Sequence, residues 1–266
     1  MIQHPMEKQV AEFLQNRIPE PPAIAIVLGS GLSEFSDHLV HKISVLYSEI
    51  PRYPQPTVNG HVGEFIFGYL SDVPVFCARG RFHYYEGHPL EIVTLPIRVF
   101  KEIGCGKVII TNAAGCINPQ WNVGELMLIE GHFDFTFRNG AGDPKIRTTL
   151  ECYDQSMIRF AKKAARTTGV VLRCGTYCWA LGPTYETPSE IANMRRLGGD
   201  AVGMSTVPEI EEANRQQLKF LGVSCLTNFA AGITSEPLNH MEVLETTQRV
   251  KKQFSELISG IIVNYT

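Results

Sequence analysis

No apolar run in this chain approaches the ~20 residues that a membrane-spanning helix needs. The opening stretch, MIQHPMEKQVAEF, carries charges and a proline where a secretory leader needs an apolar centre. An excess of one charge is also lacking. The net charge of −3 gives no broad basic field for nucleic acid or an anionic membrane surface, so any bound anion must be held locally. Metal-type cysteine pairing is missing too. Of the seven cysteines only Cys174 and Cys178 lie close together, and no second pair follows. All seven are expected to be reduced and mostly buried, in a cytoplasmic protein. There is no internal repeat and no low-complexity tract.

What remains is an ordinary globular chain. Its 266 residues suffice for one large α/β domain or at most two small ones, and 44% hydrophobic with 19% charged residues excludes intrinsic disorder. Strand-like and helix-like segments alternate. Strands are expected at Ala23–Leu28, Lys107–Thr111, Glu125–Ile129, Thr176–Leu181, Ala201–Met204 and Val223–Thr227. A hairpin is expected from Gly63–Tyr69 and Pro74–Ala78 around Ser71-Asp72. Helices are expected over Leu90–Ile103, Asp154–Thr168, Val207–Leu221 and Met241–Val263. Another starts at Thr187, with Pro188 in its first turn and Glu190 completing a capping box. Phe137–Thr149, rich in Gly, Asp and Pro, is the best candidate for a flexible loop. This alternation predicts a mainly parallel or mixed sheet.

Several polar residues are expected just after strands, where open α/β sheets bind ligands: Ser30, Asn112, Ala113, Glu186, Ser205 and Asn228. Each has a plain reading beside its chemical one. Gly29-Ser30-Gly31 can offer backbone N–H groups to an anion or be a tight turn. It is neither a Walker loop nor a dinucleotide fingerprint, since no Gly-Lys-Ser/Thr follows and Glu34 stands where a third glycine belongs. Arg81 and His83 share a face of an extended segment and can clamp one phosphate, or serve as a surface arginine beside an aromatic strip. Glu86 is placed to orient a nearby histidine. His61, flanked by glycines, is either structural or a ligand. Glu186 beside Tyr185 suits a stacked purine ring whose N–H it accepts, or is a helix-start acid. Asn228 can donate and accept at once, or simply end a strand. His240 is a site residue or part of a helix cap.

The ordered set GSGL, NGHVGEF, GRFHYYEGHP, TNAAG, GPTYET, DAVGMSTVPE and LTN…H closely resembles the low-molecular-mass purine nucleoside phosphorylases. The likeness runs from about Ala23 to about Leu257. It implies one domain over residues 1–266, an α/β fold around a mixed, distorted barrel-like sheet flanked by helices. It implies a homotrimer acting in purine salvage, with no cofactor or metal and inorganic phosphate as co-substrate. Ser30, His61, Arg81, His83, the backbone at Ala113, and Ser205 would bind phosphate. Tyr85, Met204 and His240 would surround the ribose, and Tyr185, Glu186 and Asn228 would bind the purine. Asn228, Glu186 and His83 would carry catalysis. Two departures stand out: Tyr185 replaces the family's usual Phe, and the Phe137–Thr149 loop is shorter, with Ile146 where the family places a Phe that reaches a neighbouring subunit.

The implied reaction is phosphorolysis of 6-oxopurine (2′-deoxy)ribonucleosides such as inosine and guanosine to free base and (deoxy)ribose 1-phosphate. Phosphate stabilises the cationic sugar and is also the nucleophile, so no cysteine need act. Asn rather than Asp at 228 favours inosine and guanosine over adenosine. The rival enzyme is a methylthioadenosine phosphorylase, against which Asn228 and His240 speak. From another class, the rival is a non-catalytic nucleoside-binding protein, which would release no base at any phosphate level.

Overall fold

The computed structural model describes residues 5–58, 62–148, 151–234 and 240–265. Ten strands form one mixed sheet: β1 (Ile24–Leu28), β2 (Val40–Leu46), β3 (Glu64–Leu70), β4 (Val73–Arg79), β5 (Lys107–Cys116), β6 (Leu126–Asp134), β7 (Arg147–Thr148), β8 (Leu172–Trp179), β9 (Ala201–Gly203) and β10 (Lys219–Phe229). The helices are α1 (Met6–Gln15), α2 (Leu90–Val93), α3 (Leu95–Glu102), α4 (Gln155–Thr168), α5 (Pro188–Arg196), α6 (Val207–Arg215) and α7 (His240–Tyr265). Five strands close on themselves in the order β5-β10-β6-β8-β9-β5, and β1, β4, β3 and β2 extend the sheet outward from β5. The mixed, barrel-like sheet expected above is present.

Local chemistry explains the elements. Every residue of β1 is buried, as a central strand with parallel neighbours on both sides requires. The β3–β4 hairpin turns through Ser71 and Asp72, both left-handed at φ 49° and 65°, which matches the twist of the paired strands. Asp154 caps α4 by accepting from Met157 N, and Gly169 closes that helix in the left-handed region. The Thr187–Glu190 capping box opens α5 as expected. All seven cysteines are free thiols, and among the described residues no helix is long and apolar enough to cross a membrane.

The structure corrects several boundaries. Leu90–Ile103 is two helices that meet at Thr94, because Pro96 at the start of α3 has no N–H to continue the ladder. The helix expected to reach Leu221 stops at Arg215. Gln217 turns left-handed at φ 55°, and buried Phe220 and Leu221 belong to β10. The strand expected at Thr176–Leu181 runs over Leu172–Trp179. The largest correction concerns the site. Asn112 and Ala113 lie inside β5, and Asn228 lies inside β10, rather than after them. The two strands pair with each other as far as Cys116 and Phe229, so they continue past the point where polar residues suggested an end. The loop from Phe137 is largely irregular, but Arg147–Thr148 joins the sheet against β6; Thr149 lies outside the described residues.

Candidate active site

One cavity of about 150 Å³ is lined by Ser30, Arg81, His83, Tyr85, Ala113, Tyr185, Glu186, Met204, Ser205 and Asn228, together with Asn112, Thr227 and others. The sequence named these ten from segments scattered over the chain, and the fold brings them together. His61 lies outside the described residues. His240 begins α7, and its side chain likewise lies outside them. A larger cleft of about 880 Å³ contains none of the expected site residues.

Strand ends and one close approach build the side of the cavity where an anion is expected. Ser30 lies two residues past the end of β1. Gly29 before it is required, because a Cβ there would sit 2.7 Å from Asn112 Cα and 2.8 Å from Thr111 O. Arg81 follows β4 and is only 2% exposed. Its Nη1 donates to Ser205 Oγ at 3.0 Å, and Nη2 lies 3.2 Å from Glu209 Oε2. A guanidinium so deeply buried needs a counter-charge, and Glu209, 1% exposed, supplies it. His83 stacks on Tyr85 with ring centroids 4.8 Å apart. Glu86 Oε1 sits 3.1 Å from His83 Nδ1, the orienting contact expected from sequence.

The amide and carboxylate come from elsewhere. A register shift between Leu226 and Asn228 interrupts the β5–β10 ladder, and such bulges re-aim side chains. Asn228 is held by Thr227 Oγ1 donating to its Oδ1 at 3.1 Å and by its own Nδ2 donating to Phe229 O at 3.0 Å. One amide hydrogen and one oxygen lone pair remain for a ligand. Glu186 precedes α5. Burial pushes its carboxyl above the usual range, and its buried Oε1 has no hydrogen-bond partner among the described residues. Between these groups Gly182, at φ 70°, lets the backbone pass Met204 and Tyr85, since a Cβ there would lie 2.4 Å from Met204 Sδ.

Sequence reasoning missed two residues behind the site. Thr206 caps α6 at φ 76° and ψ −50°, and Glu209 accepts from its N–H at 3.1 Å. The Thr206-Val207-Pro208-Glu209 spacing is a capping box with proline in the first turn, which was the available signal. Ile146 does not project into this cavity; it packs over Gly131 and Gly198 of its own chain.

Known proteins resemble this chain over nearly its whole length. The family model described as "Phosphorylase superfamily" matches residues 23–263. The chain is 40% identical to purine nucleoside phosphorylase 1 of Bacillus subtilis (strain 168), over 97% of this chain and 98% of that one. The purine nucleoside phosphorylase of Schistosoma mansoni solved with inosine superposes with a TM-score of 0.87 at 32% identity, covering 97% of this chain and 95% of that one. The same enzyme solved with adenosine also gives a TM-score of 0.87 at 32% identity, covering 96% and 95%.

Proposed function

The chain belongs to the phosphorylase superfamily, among its purine nucleoside phosphorylases, and from that premise we propose that it cleaves inosine, guanosine and their 2′-deoxy forms with inorganic phosphate. The products are the free purine and (deoxy)ribose 1-phosphate. One observation carries the reading: a single cavity holds both a buried Arg81–Ser205–His83 cluster and the Asn228–Glu186 pair. The first set has the donors for a phosphate. The second has the donor and acceptors for a 6-oxopurine.

In this reading Ser30, Arg81, His83, Ser205, His61 and the Ala113 N–H hold phosphate beside C1′ of the ribose. Tyr85, Met204 and His240 surround the sugar, and Tyr185 covers the base. As the C1′–N9 bond breaks, the sugar becomes cationic and the base gains negative charge. The phosphate dianion faces the developing cation and then attacks it. The Asn228 amide donates toward O6, where charge accumulates on the base, and fixed donors of this kind stabilise a transition state strongly. Ionised Glu186 accepts the ring N–H and holds the base in register. Every bond change lies between the two substrates, so the enzyme forms no covalent intermediate and needs no cofactor or metal.

Residues 1–266 would act as one domain in the cytoplasm, serving purine salvage as a homotrimer. Tyr185, which lines the cavity, and Leu181 nearby are 42% and 36% exposed, as expected of apolar groups that a neighbouring subunit covers. Sedimentation velocity tests the trimer. The activity is tested with inosine, guanosine, xanthosine, adenosine and methylthioadenosine, each with and without phosphate. Hypoxanthine release from inosine only when phosphate is present is the expected result. Release without phosphate, or none at all, overturns the reading.

A further inference from the structure

The carboxylate of Glu209 touches two different parts of the anion-binding side. Its Oε2 lies 3.2 Å from Arg81 Nη2 and accepts from Thr206 N at 3.1 Å. The second contact matters because of the backbone it holds. Thr206 adopts φ 76° and ψ −50°, and Val207 N donates to Ser205 O at 2.9 Å, a γ-turn of the rarer, strained hand. A β-branched residue resists that conformation, so it persists only where surrounding contacts enforce it. Glu209 supplies one such contact at the turn N–H. Asn112 Nδ2 supplies another, donating to Thr206 Oγ1 at 3.0 Å. The turn presents Ser205, whose Oγ receives the Arg81 Nη1 hydrogen bond.

We propose that Glu209 is a positioning residue that sets Arg81 and Ser205 in register for phosphate. The inference rests on the reading of those two residues as phosphate ligands. Glu209 has no direct part in the reaction: it is 1% exposed and does not line the cavity. One of its oxygens pairs with the guanidinium and also holds the serine turn through the Thr206 N–H. It is also the counter-charge that lets Arg81 remain buried before phosphate arrives. Length is therefore the critical property. An aspartate is one methylene too short to hold both partners. A glutamine keeps the length and the acceptor for Thr206 N, places its oxygen beside Arg81, and loses the charge, which bound phosphate supplies.

The test compares Glu209→Asp and Glu209→Gln in initial-rate kinetics, varying phosphate and inosine separately. KM is used because it does not depend on the fraction of protein that is folded. Glu209→Asp is expected to raise the phosphate KM about tenfold, since small misplacements of binding groups are costly, while the inosine KM stays within about twofold. Glu209→Gln is expected to bring the phosphate KM back to within about threefold of the parent protein. Its gain in Tm on adding inorganic phosphate should stay close to the parent's, because stabilisation by a ligand follows its dissociation constant. A phosphate KM rise below about fivefold in Glu209→Asp, an equal rise in the inosine KM, or a glutamine variant as impaired as the aspartate one overturns the proposal. If Glu209→Asp does not fold, a phosphate KM more than about threefold above the parent's in Glu209→Gln overturns it. Arg81→Ala and Ser205→Ala separate the two levels of argument. If neither raises the phosphate KM, the ligand assignment itself is wrong; if both do while the Glu209 variants behave like the parent, only the positioning role fails.

Discussion

Glu86 grips His83 at two points: its Oε1 accepts from His83 N at 2.6 Å and sits 3.1 Å from His83 Nδ1. The other oxygen, Oε2, accepts from Thr57 N at 2.8 Å and Thr57 Oγ1 at 2.6 Å. One carboxylate thus joins two stretches of loop and fixes the ring of a proposed phosphate ligand.

The titration of Glu86 follows from these contacts. Burial pushes its carboxyl up, but the hydrogen bonds from His83 and Thr57 outweigh burial and hold it at about 2, against an ordinary 4.5. A carboxyl depressed in the folded state binds fewer protons there than when unfolded. Its stabilising contribution is therefore complete above about 4.5 and fades as pH falls toward 2. Glu86→Gln should be less stable than the parent at pH 7, with the gap in urea midpoint narrowing below about pH 4.5 and closing only near pH 2. A constant gap across that range would show that the charge is irrelevant. The variant should also have a raised phosphate KM, through a loosened His83.

Asn228 carries the largest expected effect on rate. Removing one preorganised donor to developing charge costs on the order of 2–4 kcal/mol, so Asn228→Ala should lower kcat/KM on inosine about 30- to 900-fold. Its fold should survive, because among the described residues the side chain bonds only Thr227 Oγ1 and Phe229 O. Full activity in this variant would remove Asn228 from the mechanism.

Much of this site was legible in the sequence, for a physical reason. Residues that meet a small polar ligand must be specific polar types, and Ser30, Arg81, His83, Glu186 and Asn228 stand in short stretches whose glycines mark close backbone approach. What supports them was harder to read. Glu209 looks like any helix-start acid until the fold brings Arg81 to it across the chain. The extension of β5 and β10 through Asn112 and Asn228 depends on pairing between strands far apart in sequence. The strand β2 was missed because most of its residues are exposed, leaving little apolar alternation to detect.

Substrate choice follows from the same amide. In the proposed binding mode the Asn228 Nδ2 donor faces a carbonyl oxygen in inosine, but an amino group, also a donor, in adenosine. A site built to pair a donor with an acceptor rejects a mismatched analogue, so inosine should exceed adenosine in kcat/KM by ~100-fold or more. Asn228→Asp, whose oxygens accept from the amino group, should narrow that ratio. Comparable turnover of the two nucleosides by the parent protein would refute the assignment.

Gly182 tests the packing of the sugar-binding wall. A Cβ at this position would lie 2.4 Å from Met204 Sδ and 2.9 Å from Tyr85 Cδ1, and φ is already 70°. Gly182→Ala must push both side chains aside or strain the backbone, at a cost of about 1–3 kcal/mol in stability. Because the displaced groups belong to the proposed ribose wall, the inosine KM should rise while the phosphate KM stays near its original value. Equal rises in both would mean that the disturbance spreads through the whole cavity.

Glu186 sets stability against activity. Burial raises its carboxyl above the ordinary range, so the folded protein binds its proton more readily than the unfolded chain does. The sign is the reverse of that for Glu86. The ionised form destabilises the folded state at neutral pH, and the penalty shrinks as pH falls through the raised value and is gone below the ordinary 4.5. Glu186→Gln should therefore have a higher Tm than the parent at pH 8, with the difference shrinking on acidification. Activity should move the other way. A purine ring N–H needs the ionised acceptor, so the variant should lose kcat/KM on inosine, and the parent's inosine KM should climb as Glu186 is protonated. A variant that gains stability without losing inosine turnover would show that this carboxylate does not contact the base.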